Sequence, residues 1–356
     1  MRRGLIVVAL FVVAIMAYAM RGPIAMKLMA AAAGRVISAD TIAELPDGLT
    51  VALCGAGSPL PDPLRSGPCV AVVAGKHLFE VDAGDGAGRN MTRLGYSPGR
   101  IEALFLTHFH SDHIDGLGEV TVLRWAGGAH EEPLPIVGPT GVDQVVHGFN
   151  AAYKLDSGYR FAHHGPTVVP PGGAGGVARP FELPAAGESQ AVWSADGLTV
   201  TAFAVHHDPV LPAVGYKFEY GGRSVVISGD TAKSSNLEHF AQNADLLVHE
   251  GLSPELVGIL GRAAAAAGRT NVAKIMSDIL SYHTAPVEVA QIAAAANVHH
   301  LLFYHVIPPL LVPGSEAAFL KGVDDIYHGP VTLGRDGTQI TLPRDSQEII
   351  VDQRTL

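Results

Sequence analysis

Residues 105–118 read FLTHFHSDHIDGLG, an apolar run that opens into His108, His110, Asp112 and His113. Four imidazole and carboxylate ligands within six positions can face one point from a loop and coordinate one or two divalent ions. Without a cation, crowding so many titratable groups together is costly. Gly116 and Gly118 let the chain turn tightly behind the ligands. The chain holds 17 histidines and only two cysteines. That balance favours imidazole-and-carboxylate metal chemistry and excludes a disulfide framework or a Cys-rich zinc module.

Such ligands need strands that end where they stand. From residue 48 the chain runs LTVALCG, CVAVVAG, HLFEVDAG and ALFLTHFH, each β-type and each ending at Gly, Asp or His. A second half repeats the style with LTVTAFAVHH, AVGYKFEY, SVVISGD and DLLVHE, and Gly221-Gly222 marks a hairpin between two of these runs. Helices are expected around 236–243, 254–267, 270–281 and 286–296, the last leading into the strand LLFYH, and VTLGRDGTQITLP reads as a closing hairpin. Two sheet-rich halves with intervening helices imply an α/β chain folded as a four-layer αββα sandwich. Residues 142–206 contain PPGGAGG with Lys154, Arg160 and Arg179, and read as an insertion or lid over the site. The expected organisation is a domain over 47–345, an Ala-rich connector over 22–46 and a tail over 346–356.

The length of 356 residues, with 48% apolar and 16% charged residues, argues for a deep core and against disorder. A formal charge of −10 with no basic stripe makes nucleic acid an unexpected partner. At the start, Arg2 and Arg3 precede an uncharged apolar run from Gly4 to Met20, closed by Arg21. Residues 1–21 therefore read as a signal peptide, cut after Ala17-Tyr18-Ala19, or as a retained anchor in the inner membrane. Either way the chain is expected to be exported to the periplasm or cell envelope. Cys54 and Cys69 flank neighbouring strands, where both a disulfide and two buried thiols fit.

H-x-H-x-D-H with its Gly-rich turn resembles the metallo-β-lactamase superfamily of αββα metallohydrolases. VHHDPVLPAVGYKFEY, SVVISGDT and LLFYH resemble, in order, later landmarks of its ribonuclease Z and arylsulfatase-like branch. The resemblance covers about residues 50–310 and implies a two-metal site. His108, His110 and His207 (rather than His206) would hold one ion, Asp112, His113 and His305 the other, and Asp230 would bridge them. Zinc is the default with five imidazoles, while manganese and iron suit the same ligand types. Two such ions lower the pKa of a water and stabilise charge on an ester oxygen. SYHTAPVEV resembles the segment in which a histidine opens a helix ahead of the last ligand, so His283 is expected to act on the substrate, and Glu250 to orient His283 or a metal ligand, or to form a simple surface pair with His249. Asp112, His283 and Glu250 are the expected catalytic residues. Asp82, at another strand end, is either a support for the histidines or a turn residue.

The reaction expected from these features is hydrolysis of a small anionic ester, a phosphodiester or a sulfate ester. The alternatives are a ribonuclease Z-type tRNA 3′-end endonuclease, a lactone or β-lactam hydrolase, and a non-hydrolytic metal-binding relative. Export and the lack of a basic arm weigh against the nuclease. The membrane is expected as a partner through an uncut N-terminal segment, and a homodimer stays open.

Overall fold

The computed structural model describes residues 2–38 and 40–356, without the side chains of residues 2–10, 12–15, 35, 36 and 38. It comprises an N-terminal unit ending at Glu44 and a larger unit, Leu45–Leu356.

The N-terminal unit departs from expectation. Arg2–Ser38 is one helix that runs unbroken through Ala17-Tyr18-Ala19 and on across residues expected to be a connector. Past the apolar run it carries Arg21, whose guanidinium lies over the Tyr18 ring, and Lys27. Most side chains of the apolar run itself lie outside the described residues. Among the described residues no helix is long and apolar enough to cross a membrane.

The larger unit is built on fifteen strands. The first six are β1 (Gly48–Gly55), β2 (Cys69–Ala74), β3 (His77–Val81), β4 (Ile101–Phe105), β5 (Leu134–Pro139) and β6 (Gly176–Phe181). Next come β7 (Ser189–Ala195), β8 (Leu198–Ala204), β9 (Val214–Tyr220), β10 (Arg223–Ile227), β11 (Leu246–Leu252), β12 (Leu301–Ile307) and β13 (Val331–Leu333). The chain closes with β14 (Thr338–Pro343) and β15 (Ile350–Gln353). One sheet has the order β15-β14-β1-β2-β3-β4-β5-β6 and the other β13-β12-β11-β10-β9-β8-β7. Each begins as an antiparallel meander and continues in parallel, through β3-β4-β5-β6 in the first and β10-β11-β12-β13 in the second. Parallel strands need crossovers and have both faces covered, which is why β11 and β12 are buried along their whole length.

Strand alternation sends Leu49, Val51 and Leu53 into the space between the sheets, against Val200, Tyr216, Phe218, Ile227 and Leu302. Phe105 centres this core, its ring 5.4 Å from Tyr216, 5.6 Å from Phe218 and 6.1 Å from Phe79. On the outer face of the second sheet, the helix Pro286–Ala295 buries Val289, Ala290, Ile292 and Ala293 against Leu301 and Phe303. It starts with Pro286 at the first helical position, and the Ala285 N–H donates to Glu288 Oε2 at 3.1 Å. Outside the first sheet, Leu117–Gly128 buries Leu117, Val120, Thr121, Arg124 and Trp125, a helical stripe. Helix, sheet, sheet and helix make the expected four-layer αββα sandwich.

Residues 142–206, expected as an insertion or lid, carry regular elements. Val142–His164 is a 23-residue helix, β6 is an edge strand of the first sheet, and β7 and β8 end the second. None of these residues lines the cavity described below. Residues 350–353, within the expected tail, pair with β14. Cys54 and Cys69 are joined as a disulfide, with Cα atoms 5.0 Å apart, and so close the loop that connects β1 to β2.

Candidate metal centre

The parallel strands of both sheets run toward one end, and their last residues carry the chemistry. β4 delivers Thr107 and His108, then His110 precedes the single helical turn Ser111–Ile114 that presents Asp112 and His113. His207 follows β8, Asp230 follows β10, Glu250 lies within β11 and His305 within β12. Two glycines allow these loops to close on one another. A Cβ at Gly116 would lie 2.3 Å from the Gly84 carbonyl oxygen, and Gly229, at φ +60°, would bring one within 2.9 Å of Thr107.

Asp230 stands in the middle. Its Oδ1 lies 3.3 Å from His113 Nε2 and 3.5 Å from His305 Nε2, while its Oδ2 lies 3.7 Å from His108 Nε2 and 3.9 Å from His207 Nε2. His110 Nδ1 is 3.1 Å from His108 Nε2, and Asp112 Oδ2 is 3.3 Å from His305 Nε2. Two ligand-sized groups result. His108, His110, His207 and Asp230 form one, and Asp112, His113 and His305 the other, each with its donor atoms within 4.8 Å. Asp230 also groups with His283 and His305.

The imidazoles are held from behind. His113 Nδ1 donates to Asp82 Oδ2 at 2.8 Å, His207 Nδ1 donates to the Tyr282 carbonyl at 2.8 Å, and His108 Nδ1 is 3.1 Å from Thr107 Oγ1. Donation at Nδ1 leaves the Nε2 lone pair facing the cluster, as a metal ligand requires. Asp82 also accepts from the Thr107 N–H at 2.9 Å and from the Thr107 hydroxyl at 2.9 Å. Burial, and then the neighbouring His113, hold His108 well below the usual histidine range, so it is neutral at pH 7. Burial opposes the Asp230 charge, but His305, His113 and His108 hold its carboxyl well below the usual value.

His113 Nε2, His207 Nε2 and Asp230 Oδ1 are buried without a hydrogen bond. Lone pairs so placed are costly unless a cation receives them, and the imidazole-carboxylate set fits divalent ions of the zinc type.

The remaining expected residues fall into place around this cluster. Glu250 Oε1 faces His283 Nδ1 at 3.0 Å and accepts from the Thr284 and Thr231 N–H groups at 3.1 and 3.2 Å. Burial would depress the His283 imidazole, but Glu250 and Asp230 raise it above the ordinary histidine value. His206 is 64% exposed beside Asp208, whereas the adjacent His207 is fully buried in the cluster. His163 and His164 are exposed at the end of their helix, away from the cavity. His300, just before the start of β12, is buried and lies 2.8 Å from Thr332 Oγ1. Thr107 and the Tyr282 carbonyl were not expected as supports: a backbone oxygen has no residue-type signal, and a threonine before a histidine is common. A cavity of about 340 Å³ opens on the cluster, its other walls coming from Pro59, Leu60, Ile275, Met276, Ile279 and Tyr282.

The profile of the Beta-lactamase superfamily domain matches residues 79–306. Ribonuclease Z of Mycobacterium sp. (strain KMS) is 35% identical over 289 residues, 81% of this chain and 94% of that protein. Ribonuclease Z of Mycolicibacterium paratuberculosis (strain ATCC BAA-968 / K-10) is 36% identical over 290 residues, 81% and 96% respectively. Among solved structures, the short form of human tRNase Z superposes with a TM-score of 0.59 at 20% identity, covering 83% of this chain and 99% of that one. A metallo-beta-lactamase fold protein from Bacillus subtilis gives 0.59 at 19% identity, covering 82% and 99%. At such identities the structural likeness speaks for the fold alone.

These findings correct four expectations. Export and a membrane anchor are overturned, because the chain aligns with nearly the whole length of proteins named for acting on RNA. Nucleic acid as an unexpected partner, and a small anionic ester as the substrate, fall for the same reason. The arylsulfatase-like side of the resemblance is not sustained. The chain belongs to the ribonuclease Z family of the beta-lactamase superfamily and is a metal-dependent hydrolase.

Proposed function

We propose that the chain is a ribonuclease Z-type endonuclease that hydrolyses a phosphodiester near the 3′ end of precursor tRNA. The observation that carries the reading is the position of Asp230, with one carboxylate oxygen toward His113 and His305 and the other toward His108 and His207. In the proposal His108, His110 and His207 would hold one divalent ion and Asp112, His113 and His305 a second, with Asp230 shared between the two groups. Zinc is the metal that five imidazoles favour. Bound there, such ions acidify water and neutralise charge on the phosphate oxygens.

The chain's own residues do the rest. Asp82 and the Tyr282 carbonyl fix the tautomers of His113 and His207, so the ligand nitrogens need no reorganisation. Glu250 holds His283 by Nδ1, which leaves Nε2 to donate toward the scissile phosphate. As water adds to phosphorus it gives up a proton to the Asp112 carboxylate, the bond to the leaving oxygen breaks, and His283 gives that oxygen a proton. Asp112 lines the cavity and keeps His305 turned toward Asp230.

The test is cleavage of a precursor tRNA carrying a 3′ extension, before and after metal removal with EDTA and again after zinc is restored. Release of the extension that is lost with EDTA and recovered with zinc is the expected result. Fully metal-loaded protein that leaves the precursor intact refutes the proposal.

A further inference from the structure

The cavity beside the ligand cluster is chemically lopsided. One end is the His and Asp cluster, and no lysine or arginine is among its lining residues. In a chain of net charge −10, the rest of a bound nucleotide therefore gains little from phosphate neutralisation. The walls are instead apolar and come from two separate segments. Pro59 and Leu60 belong to the loop that the Cys54–Cys69 disulfide closes, while Ile275, Met276 and Ile279 belong to the helix Thr270–Asp278 and the turn after it. Met276 is anchored in a small core with Leu252, Val257 and Ile307, so this wall is fixed from behind. Ile275 is left 52% exposed at the cavity. The Tyr282 ring, half-buried, completes the surround and stands 4.9 Å from His207. Ser58 lines the same cavity, and its hydroxyl is buried without a hydrogen bond.

We infer that this apolar recess is a nucleobase slot, which takes the base of a nucleotide next to the scissile phosphate between the Leu60 and Ile275–Ile279 walls, against Tyr282. A flat base with apolar faces suits walls of branched aliphatic and aromatic side chains, and stacking of this kind tolerates any base. The volume of about 340 Å³ is at the lower end of small-molecule sites, room for one base beside the cluster rather than several. Ser58 supplies a hydroxyl for the edge of that base. The inference rests on the proposed RNA substrate, which it deepens by saying what grips the nucleotide once its phosphate is at the cluster.

The experiment uses zinc-loaded full-length protein and short RNAs spanning the cleavage site, intact or abasic at each flanking nucleotide. Cleavage is measured on normal RNA, and binding on a phosphorothioate analogue carrying 2-aminopurine beside the scissile position. Removing the base that enters the slot should weaken binding and kcat/KM about tenfold, equivalent to about 1.4 kcal/mol. Ile275→Ser and Leu60→Ser should each lose a similar factor on intact RNA and under about twofold on the abasic RNA. Ile275 is half-exposed and Leu60 only partly buried, so both variants keep the fold. Equal handling of intact and abasic RNA by the wild type, or equal losses on both by the variants, overturns the slot. Base-dependent binding without any cleavage would uphold the slot and refute the nuclease reading, cleavage without base dependence would do the reverse, and neither property would sink both.

Discussion

Replacing Asp82 by Asn isolates what a carboxylate behind a metal ligand contributes. Asp82 lies at φ 57°, a left-handed conformation that Asn tolerates, so the backbone has no reason to move. The amide oxygen of Asn, in the place of Oδ1, can still accept from the Thr107 N–H and hydroxyl, now at 2.9 and 3.1 Å. Its amino group, however, would face His113 Nδ1, which at present donates to Asp82 Oδ2 at 2.8 Å. A carboxylate only accepts, and an amide nitrogen only donates, so the variant drives the His113 proton from Nδ1 to Nε2. An Nε2 that carries hydrogen cannot bind a cation, and regaining the right tautomer means a clash of donors. Loss of such a support weakens metal binding about 10- to 100-fold, or about 1.4 to 2.7 kcal/mol. The loss should fall on the ion of the Asp112, His113 and His305 group and spare the His108, His110 and His207 group. Titration of the loaded protein with a competing chelator, read as metal content per chain, should show one ion leaving early and the other at its wild-type position. Melting of the metal-free protein should change by less than about 1 kcal/mol, because two of the three hydrogen-bonding partners are retained. If Asp82→Asn keeps both ions within about twofold of wild type, the tautomer does not control the site and the reasoning fails.

Further expectations concern individual side chains. His207→Ala should lose metal and His206→Ala should keep metal and turnover, measured as metal content and rate, since the first is buried in the cluster and the second exposed. His283→Ala should keep its metal and lose about 10²- to 10⁴-fold in kcat, as for a missing general acid; loss of an ion would instead make His283 a ligand, and full turnover would make it a packing residue. Glu80 is fully buried beside Asp82 and Glu119, and burial, followed by those charges, pushes its carboxyl up to about 8 from 4.5. The folded state thus holds a proton that the unfolded chain gives up, so stability is present below about 4.5 and declines between there and about 8. Glu80→Gln should remove that decline and stabilise the protein by a few kcal/mol above pH 8, read as a Tm difference that grows with pH. A pH-independent difference would show that Glu80 stays ionised. Changing both Cys54 and Cys69 to Ser frees a link of sequence separation 15. Denaturant unfolding should show a loss of up to about 3 kcal/mol, and an unchanged midpoint would mean that the link constrains nothing in the unfolded chain.

The parts of the site that are legible in the sequence are those where ligand types crowd a short stretch. His108, His110, Asp112 and His113 signal a cation because nothing else justifies four such groups on one loop. Asp230 and His305 have no such local signal and come from resemblance to segments far along the chain. Which of His206 and His207 points inward depends on how β8 ends, and burial decides it. Supports are harder still. Asp82 at a strand end looks like a turn residue until the fold brings His113 and Thr107 to it.

The misread segments fail for physical reasons. The helix Val142–His164 buries only Val142 and Val146, so its apolar period is too weak to stand out, and the Pro- and Gly-rich stretch that follows suggests a loop. Much of β7 is exposed, which blurs its alternation, yet pairing with β8 holds it in the sheet. At the N-terminus, composition alone cannot tell an apolar helix that ends from one that continues, and this one continues to Ser38. Fold class survived these errors because it rests on strand number, order and crossovers. The site survived them because its ligands come from β12 and from short segments after β4, β8 and β10, whose register is set by the core and not by residues 142–206.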